Sequence, residues 1–268
     1  VDKYDCYELC VQGGGGRWIV PFLRALHGQQ PRVLREDFCG TAAVSRRWAA
    51  DLRRSGLDGR AVGVDIDAEV LARGRAEASR AGAGDAVELV RGDAVHDPVG
   101  PGEGCDVIYV GNFSIGYIHE RADLVAYLRR CAQRLRLGAA GFGGGVLVVD
   151  VYDGPGKYAL GTLHRTHMGY GREVVQYAWE HRDADALTGM VDNAVHFRVI
   201  VDGELAADLP DAFTYRWRLW SIPELRGAMA EAGFASSAVY QQVCDRPVAL
   251  AHGRELAEGG VACVVGGV

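Results

Sequence analysis

Residues Val33-Leu34-Arg35-Glu36-Asp37-Phe38-Cys39-Gly40-Thr41-Ala42 decide the fold. An apolar start, a charged stop and a tight Phe-Cys-Gly-Thr turn lead into a helical pattern at 42–55, so the stretch reads strand, turn, helix. Working outward, apolar runs at 61–65, 86–91, 105–111 and 145–151 alternate with helical patterns at 68–81 and 121–137. Runs rich in Val, Ile and Leu on both faces belong to strands covered by helices on two sides, which predicts a doubly wound α/β sheet with five parallel strands, the first at 32–36. In such sheets the ligand sits beyond the carboxyl ends of the strands. A dinucleotide fold needs GxGxxG there, yet only Gly40 is present, and Glu36 and Asp37 would repel a pyrophosphate. Acids at that spot suit a cationic ligand.

Past Tyr152 the period changes to two. Val175, Tyr177 and Trp179 share one face, as do Val195, Phe197 and Val199, and Phe213, Tyr215 and Trp217, which predicts three antiparallel strands in an inserted lobe. Turns fall at Leu187-Thr188-Gly189 and Asp202-Gly203. A helix over 223–232 ends at Gly233, and runs at 235–243 and 261–265 read as strands returning to the main sheet. The organisation is thus an N-terminal segment at 1–30, a doubly wound core at 31–152, an antiparallel insertion at 153–221, and a C-terminal completion of the sheet at 222–268. The lobe's aromatic face serves core packing, a roof over the acceptor, or a homodimer contact; Arg198, Arg216 and Arg218 lie on its other face, for solvent or an anionic substrate.

Composition narrows the function classes. Glycine is 37 of 268 residues without a collagen period, and a net charge of -6 argues against a general nucleic-acid or membrane-surface binder. All but Lys3 and Lys157 of the 29 basic residues are arginine, a coding bias without mechanism. Seven scattered cysteines without a CxxC pair fit reduced thiols and make a zinc site improbable. With no run of 18 apolar residues and no signal-peptide order at the start, the chain reads as soluble and cytoplasmic.

The loop 36–42 resembles the first motif of class I S-adenosylmethionine-dependent methyltransferases, an acid followed by GCGTG, with Phe38 and Ala42 in place of two glycines. Three further stretches line up in order: Gly63-Val64-Asp65-Ile66-Asp67, Arg91-Gly92-Asp93-Ala94, and Asn112-Phe113-Ser114-Ile115-Gly116-Tyr117. The last, with the helix and strand that follow, is similar to small-molecule N-methyltransferases of the amino-sugar and glycine type. The resemblance implies a Rossmann-like sheet of seven strands and S-adenosylmethionine as cofactor. It implies that Glu36 and Gly40 meet the methionine end, Asp65 the ribose, Ile66 the adenine ring, and Asp93 and Ala94 the adenine edge, with Asn112 in the fourth motif. Tyr4 and Tyr7 resemble the lid of that subgroup, whose tyrosine sits near the transferred methyl, and Arg17 falls where a cation would pair with the cofactor carboxylate.

For Asp65 and Asp93 the alternative role is capping the next helix, and for Tyr4 and Tyr7 ordinary packing. Methyl transfer needs positioning and exclusion of water more than a covalent nucleophile. Candidate bases are His119, Asp150, His164 and His167, each histidine with a surface or helix-opening alternative; His164 and His167 lack a third ligand, so no metal is expected. Cys39 reads as a small side chain at a tight turn. The predicted activity is methyl transfer to a small-molecule acceptor, nitrogen ranked before oxygen and carbon, with bacterial secondary metabolism as the setting. A non-catalytic metabolite-binding or scaffold protein and a nicotinamide-dependent oxidoreductase stay open as alternatives.

Overall fold

The computed structural model describes residues 1–13, 18–97, 100, 104–138, 144–154, 156–169, 171–243, 246–250 and 261–268. Strands β1 (Val33–Asp37), β2 (Arg60–Asp65), β3 (Val87–Arg91), β4 (Val107–Val110) and β5 (Val146–Tyr152) are the five parallel strands expected. The lobe contributes β6 (Gly161–Met168), β7 (Glu173–Asp185), β8 (Met190–Val201) and β9 (Glu204–Arg218), and the chain ends with β10 (Ser236–Val243), β11 (Arg246–Ala249) and β12 (Val261–Gly267). The main sheet runs β11-β10-β12-β5-β4-β1-β2-β3, its last three strands antiparallel. It has eight strands where seven were expected. The extra one, β11, carries Pro247, which a sheet tolerates at an edge because no neighbour needs its missing N–H.

Helices cover both faces. On one, α2 (Ile19–His27) and α3 (Ala43–Arg54) bury Phe22, Leu23, Trp48 and Leu52 against Leu34, Val107 and Val148. On the other, α5 (Arg121–Arg134) and α6 (Ile222–Ala232) press Leu124, Leu128, Leu225 and Met229 onto Ile108, Val110, Leu147 and Val149. The charged stop of β1 is buried too. Arg35 Nε lies 2.8 Å from Asp37, whose other oxygen accepts the Tyr127 hydroxyl at 2.8 Å, so each buried charge has its counter-group. Helix α4 (Ala68–Arg80) follows β2, with Asp67 capping it through bonds from Glu69 N and Val70 N.

The loop after β1 keeps its shape despite the missing glycines. Phe38 and Ala42 both sit at φ 56°, in the left-handed region that favours glycine, with Gly40 at 53° between them. An L-residue there costs roughly 1–2 kcal/mol, partly offset by the glycine's greater loss of freedom on folding. Ala42→Gly is therefore expected to raise the unfolding free energy by about 0.5–1 kcal/mol. Urea titration checks it; destabilisation would mean that the Ala42 methyl, fully buried, contributes more by packing than its backbone loses.

The lobe is a separate antiparallel sheet of four strands, β6-β7-β8-β9, one more than the alternation predicts. Strand β6 is an edge exposed along nearly its whole length, so its sequence carries no apolar period; His164 and His167 lie on it. Asp202 and Gly203 turn the β8–β9 hairpin at φ 52° and 88°. Packing of the aromatic face differs from the expectation of a main-sheet core. Phe197, Tyr177 and Val175 pack on Cys6 and Cys10 of the N-terminal segment, and Trp217 and Val191 cluster with Phe113 and Tyr152. On the outer face Arg198 pairs with Asp208 and Arg216 with Asp192, while Arg218 donates to the His119 carbonyl, so all three arginines have partners within the chain.

Candidate active site

Helix α1 (Lys3–Tyr7) and a π-turn at Glu8–Gly13 lie between the sheet's carboxyl edge and the lobe. Two arginines of the core hold this lid. Arg73 pairs with Asp2 and Asp5, and Arg46 with Glu8, which also accepts the Thr41 hydroxyl at 2.5 Å. On the other side Tyr4 and Tyr7 pack on Phe213 of β9, at ring separations of 5.7 and 5.0 Å.

Under the lid, at the strand ends where a doubly wound sheet binds ligand, is a cavity of about 670 Å³. Its wall includes Tyr4, Tyr7, Gly40, Asp65, Ile66, Asp93, Ala94, Asn112 and His119, nine of the residues singled out in the sequence. Asp65 accepts from Gly40 N at 2.7 Å and Asp67 N at 2.9 Å; burial raises its pKa despite those bonds. Asp93 accepts from Val95 N and His96 N through Oδ1 alone, closing a turn that no helix follows. The His119 ring donates Nε2–H to the Arg216 carbonyl at 3.1 Å.

A second cavity of about 420 Å³ adjoins the first. Its wall combines Asp150 and Tyr152 of β5 with Phe113, Trp179, His181 and Arg165. Tyr7, Asn112, Tyr215 and Trp217 line both cavities and so mark where they meet. At that junction the Tyr7 and Tyr215 side chains interact with each other. Asp150 stands behind it, its two oxygens accepting Asn112 N at 2.8 Å and Phe113 N at 2.7 Å, with burial pushing its pKa up to about 6.

Glu36, His164 and His167 fall elsewhere. Glu36 is off the cavity wall, 4% exposed, with its carboxylate taken by the Ser45 amide and hydroxyl at 2.8 and 2.6 Å; burial pushes its pKa up to about 7. Arg17 lies outside the described residues. His164 and His167 reach neither cavity wall. Cys39 is buried, its thiol raised well above the usual range by burial and adjacent acids, which suits a packing role.

The Glu36 geometry makes a prediction. A carboxyl with its folded pKa raised from 4.5 contributes stability below that value and loses it as pH rises through about 7. Glu36→Gln keeps an acceptor for both Ser45 donors, so at pH 8 the variant is expected to be about 1 kcal/mol more stable, with unchanged cofactor affinity. A drop in affinity instead, read by calorimetric titration, would return Glu36 to the cofactor's methionine end.

The acids on the first cavity's wall suit a cationic sulfonium nucleoside. Ile66, 65% exposed at the same wall, offers an apolar plate for an adenine ring. Sheet order, strand-end acids and the left-handed loop define the class I methyltransferase fold. Residues 38–138 match the family model described as "Methyltransferase domain". Residues 38–138 are thus a methyltransferase domain, the kind that takes S-adenosylmethionine as cofactor. Among solved structures it is similar to Streptomyces venezuelae DesVI, at 18% identity and TM-score 0.72 over 99% of this chain and 98% of that one. A Clostridium acetobutylicum S-adenosylmethionine-dependent methyltransferase matches at 15% identity and TM-score 0.67, over 98% and 96%. The sugar N-methyltransferase KedS8 of Streptoalloteichus sp. matches at 18% identity and TM-score 0.63, over 96% and 88%. At these identities the likeness establishes the fold. No curated protein matches the sequence. Among the described residues, no helix is long and apolar enough to cross a membrane.

Tyr215 and Trp217, on the aromatic face that the sequence offers as core, roof or dimer contact, line both cavities. His181 is not named in the sequence reading, although the alternation that puts Val175, Tyr177 and Trp179 on one face puts His181 there as well.

Proposed function

We propose that this enzyme transfers a methyl group to the nitrogen of a small molecule, in a cytoplasmic bacterial secondary pathway. The observation that carries the reading is the pair of adjoining cavities. The first fits the cofactor: Gly40 and Asn112 would flank its methionine end, Asp65 would take ribose hydroxyls, Ile66 would lie against adenine, and Asp93 with the Ala94 backbone would meet the ring edge. When bound, S-adenosylmethionine supplies an electrophilic methyl. The second cavity, about 420 Å³, is of small-molecule size, and its aromatic walls exclude water and hold an acceptor against the junction. Tyr7 and Tyr215 present oxygens at that junction, and Asp150 fixes the Asn112–Phe113 loop beneath it. Tyr4 closes the cofactor side, and His119 is held at the same wall by its bond to β9. A neutral amine needs orientation only, which such a chamber can supply. KedS8 is a sugar N-methyltransferase, which makes amino sugars the first acceptors to try.

The test is incubation with methyl-labelled S-adenosylmethionine and matched panels of amino sugars, sugars and phenols, read by mass spectrometry. Label on amino sugars alone supports the reading. Label on hydroxyls moves the assignment to oxygen, and cofactor binding without transfer to any panel or to a cell extract favours the non-catalytic alternative. Light scattering of the same sample tests a homodimer through the lobe.

A further inference from the structure

We propose that His181 takes the proton from the acceptor's ammonium, with Asn193 beside it as the oxygen that orients the imidazole. The proposal rests on the reading of the second cavity as an amine site. An amine acceptor below its own pKa is mostly ammonium, so its lone pair has to be uncovered. In the step assigned here the ammonium N–H bond breaks, its electron pair stays on nitrogen as the lone pair, and the proton bonds to a ring nitrogen of His181. The imidazolium then returns the proton to solvent.

The lobe's register brings the parts together. His181 of β7 pairs with Asn193 of β8, and Asn193 with Tyr215 of β9, a cross-strand row on the inner face. Residues so paired carry their Cβ atoms about 4.5–5.5 Å apart on the same side of the sheet. His181 and Tyr215 line the second cavity, and Asn193 between them is 3% exposed. Its Oδ1 has no hydrogen-bond partner among the described residues, a costly state for a buried amide oxygen. The His181 ring donates to none of them either. A ring N–H turned to Asn193 satisfies that oxygen and leaves the other ring nitrogen as an acceptor toward the cavity. Trp179 at 4.5 Å and Tyr152 at 5.6 Å hold the ring.

The surroundings suit an acceptor of protons. Burial lowers the His181 pKa, keeping the ring neutral at pH 7. The charged groups on the same wall are Asp150, Arg47 and Arg165; Tyr7, Tyr109, Tyr152, Tyr177, Tyr215 and Cys10 are all pushed above their ordinary values by burial and stay protonated. Asp150 is the competing base, but both its oxygens already accept backbone amides.

Two measurements on the S-adenosylhomocysteine complex and the working enzyme test this, with D-glucosamine as the amine. The first follows the histidine Cε1–H resonances by NMR, His181 being assigned by its loss in His181→Gln. Expected are a neutral ring at pH 7, a shift on adding glucosamine but not glucose, and a changed tautomer in Asn193→Leu. A ring protonated at pH 7, or one that glucosamine leaves unmoved, overturns the proposal. The second is the pH dependence of glucosamine methylation. His181→Gln is expected to lower kcat about 100-fold or more and to move the acid limb up toward the amine's own ionisation, with unchanged S-adenosylhomocysteine affinity. Asn193→Leu should move the limb the same way without lowering the thermal midpoint, which a packing role would not do. Retained rate and limb in His181→Gln overturn the assignment in favour of Asp150. If wild type does not methylate glucosamine, the N-methylation reading fails for that amine, while the NMR arm still decides whether His181 answers to an ammonium.

Discussion

At pH 4 Asp150→Ala is expected to lower the unfolding free energy by about 4 kcal/mol, and at neutral pH to abolish methyl transfer. The carboxylate holds two consecutive backbone amides, Asn112 N and Phe113 N, whose residues sit at φ 55° and 59°. Removing it orphans two half-buried donors, at about 1–3 kcal/mol each, and frees a strained loop to leave the left-handed region. Because Asn112 lines both cavities, that relaxation deforms the junction itself. Asp150→Asn is expected to fall between, since the amide can accept from one N–H but meets the other donor to donor.

The pH dependence separates this clamp from a generic core defect. The folded Asp150 pKa is raised from 3.8 to about 6 by burial, so the folded state holds its proton more tightly. Its contribution is complete below about pH 4 and is lost as pH rises through 6, a span of about 3 kcal/mol. The difference in stability between wild type and Asp150→Ala, measured by denaturant titration from pH 4 to 7.5, should shrink over that window. A flat difference, or a loss under 1 kcal/mol at pH 4, would remove Asp150 as the clamp.

The core was legible because its central strands are buried on two faces and its helices on one, and burial on that scale writes itself as apolar runs of distinct period. The strand-end acids were legible for a related reason: an Asp closing an apolar run has few uses besides a cap or a ligand. Asp93 closes a turn through Val95 N, and Asp65 holds the loop through Gly40. What hid was whatever lacked a one-dimensional pattern. Strand β6 is exposed at an edge, and β11 is short and contains a proline, so neither alternates in hydrophobicity. Glu36 shows the opposite limit. It matches the position of an acid in a motif, yet Ser45, nine residues on, takes its carboxylate, and only three dimensions bring the two together. His181 was within reach of the period-2 reading but stands one step beyond the last aromatic of its run.

Asp65→Ala is expected to weaken S-adenosylmethionine and S-adenosylhomocysteine binding by about 1.5–3 kcal/mol, roughly 10- to 150-fold. Two effects add. The carboxylate is a charged acceptor at the cofactor cavity, and through the 2.7 Å bond to Gly40 N it holds the loop whose Phe38, Gly40 and Ala42 all keep positive φ. Losing the first removes a contact, whereas losing the second lets the loop drift. A cofactor analogue lacking the ribose 2′-hydroxyl separates them. If Asp65 takes that hydroxyl, the analogue loses affinity in wild type and little more in the variant, and the double-mutant-style cycle shows coupling. If the analogue loses equally in both, Asp65 acts through the loop alone, and the ribose belongs to another acid on the wall, Asp67 being nearest in sequence. Affinity unchanged in Asp65→Ala would displace the cofactor from the β2 end altogether, taking with it the reading of the larger cavity.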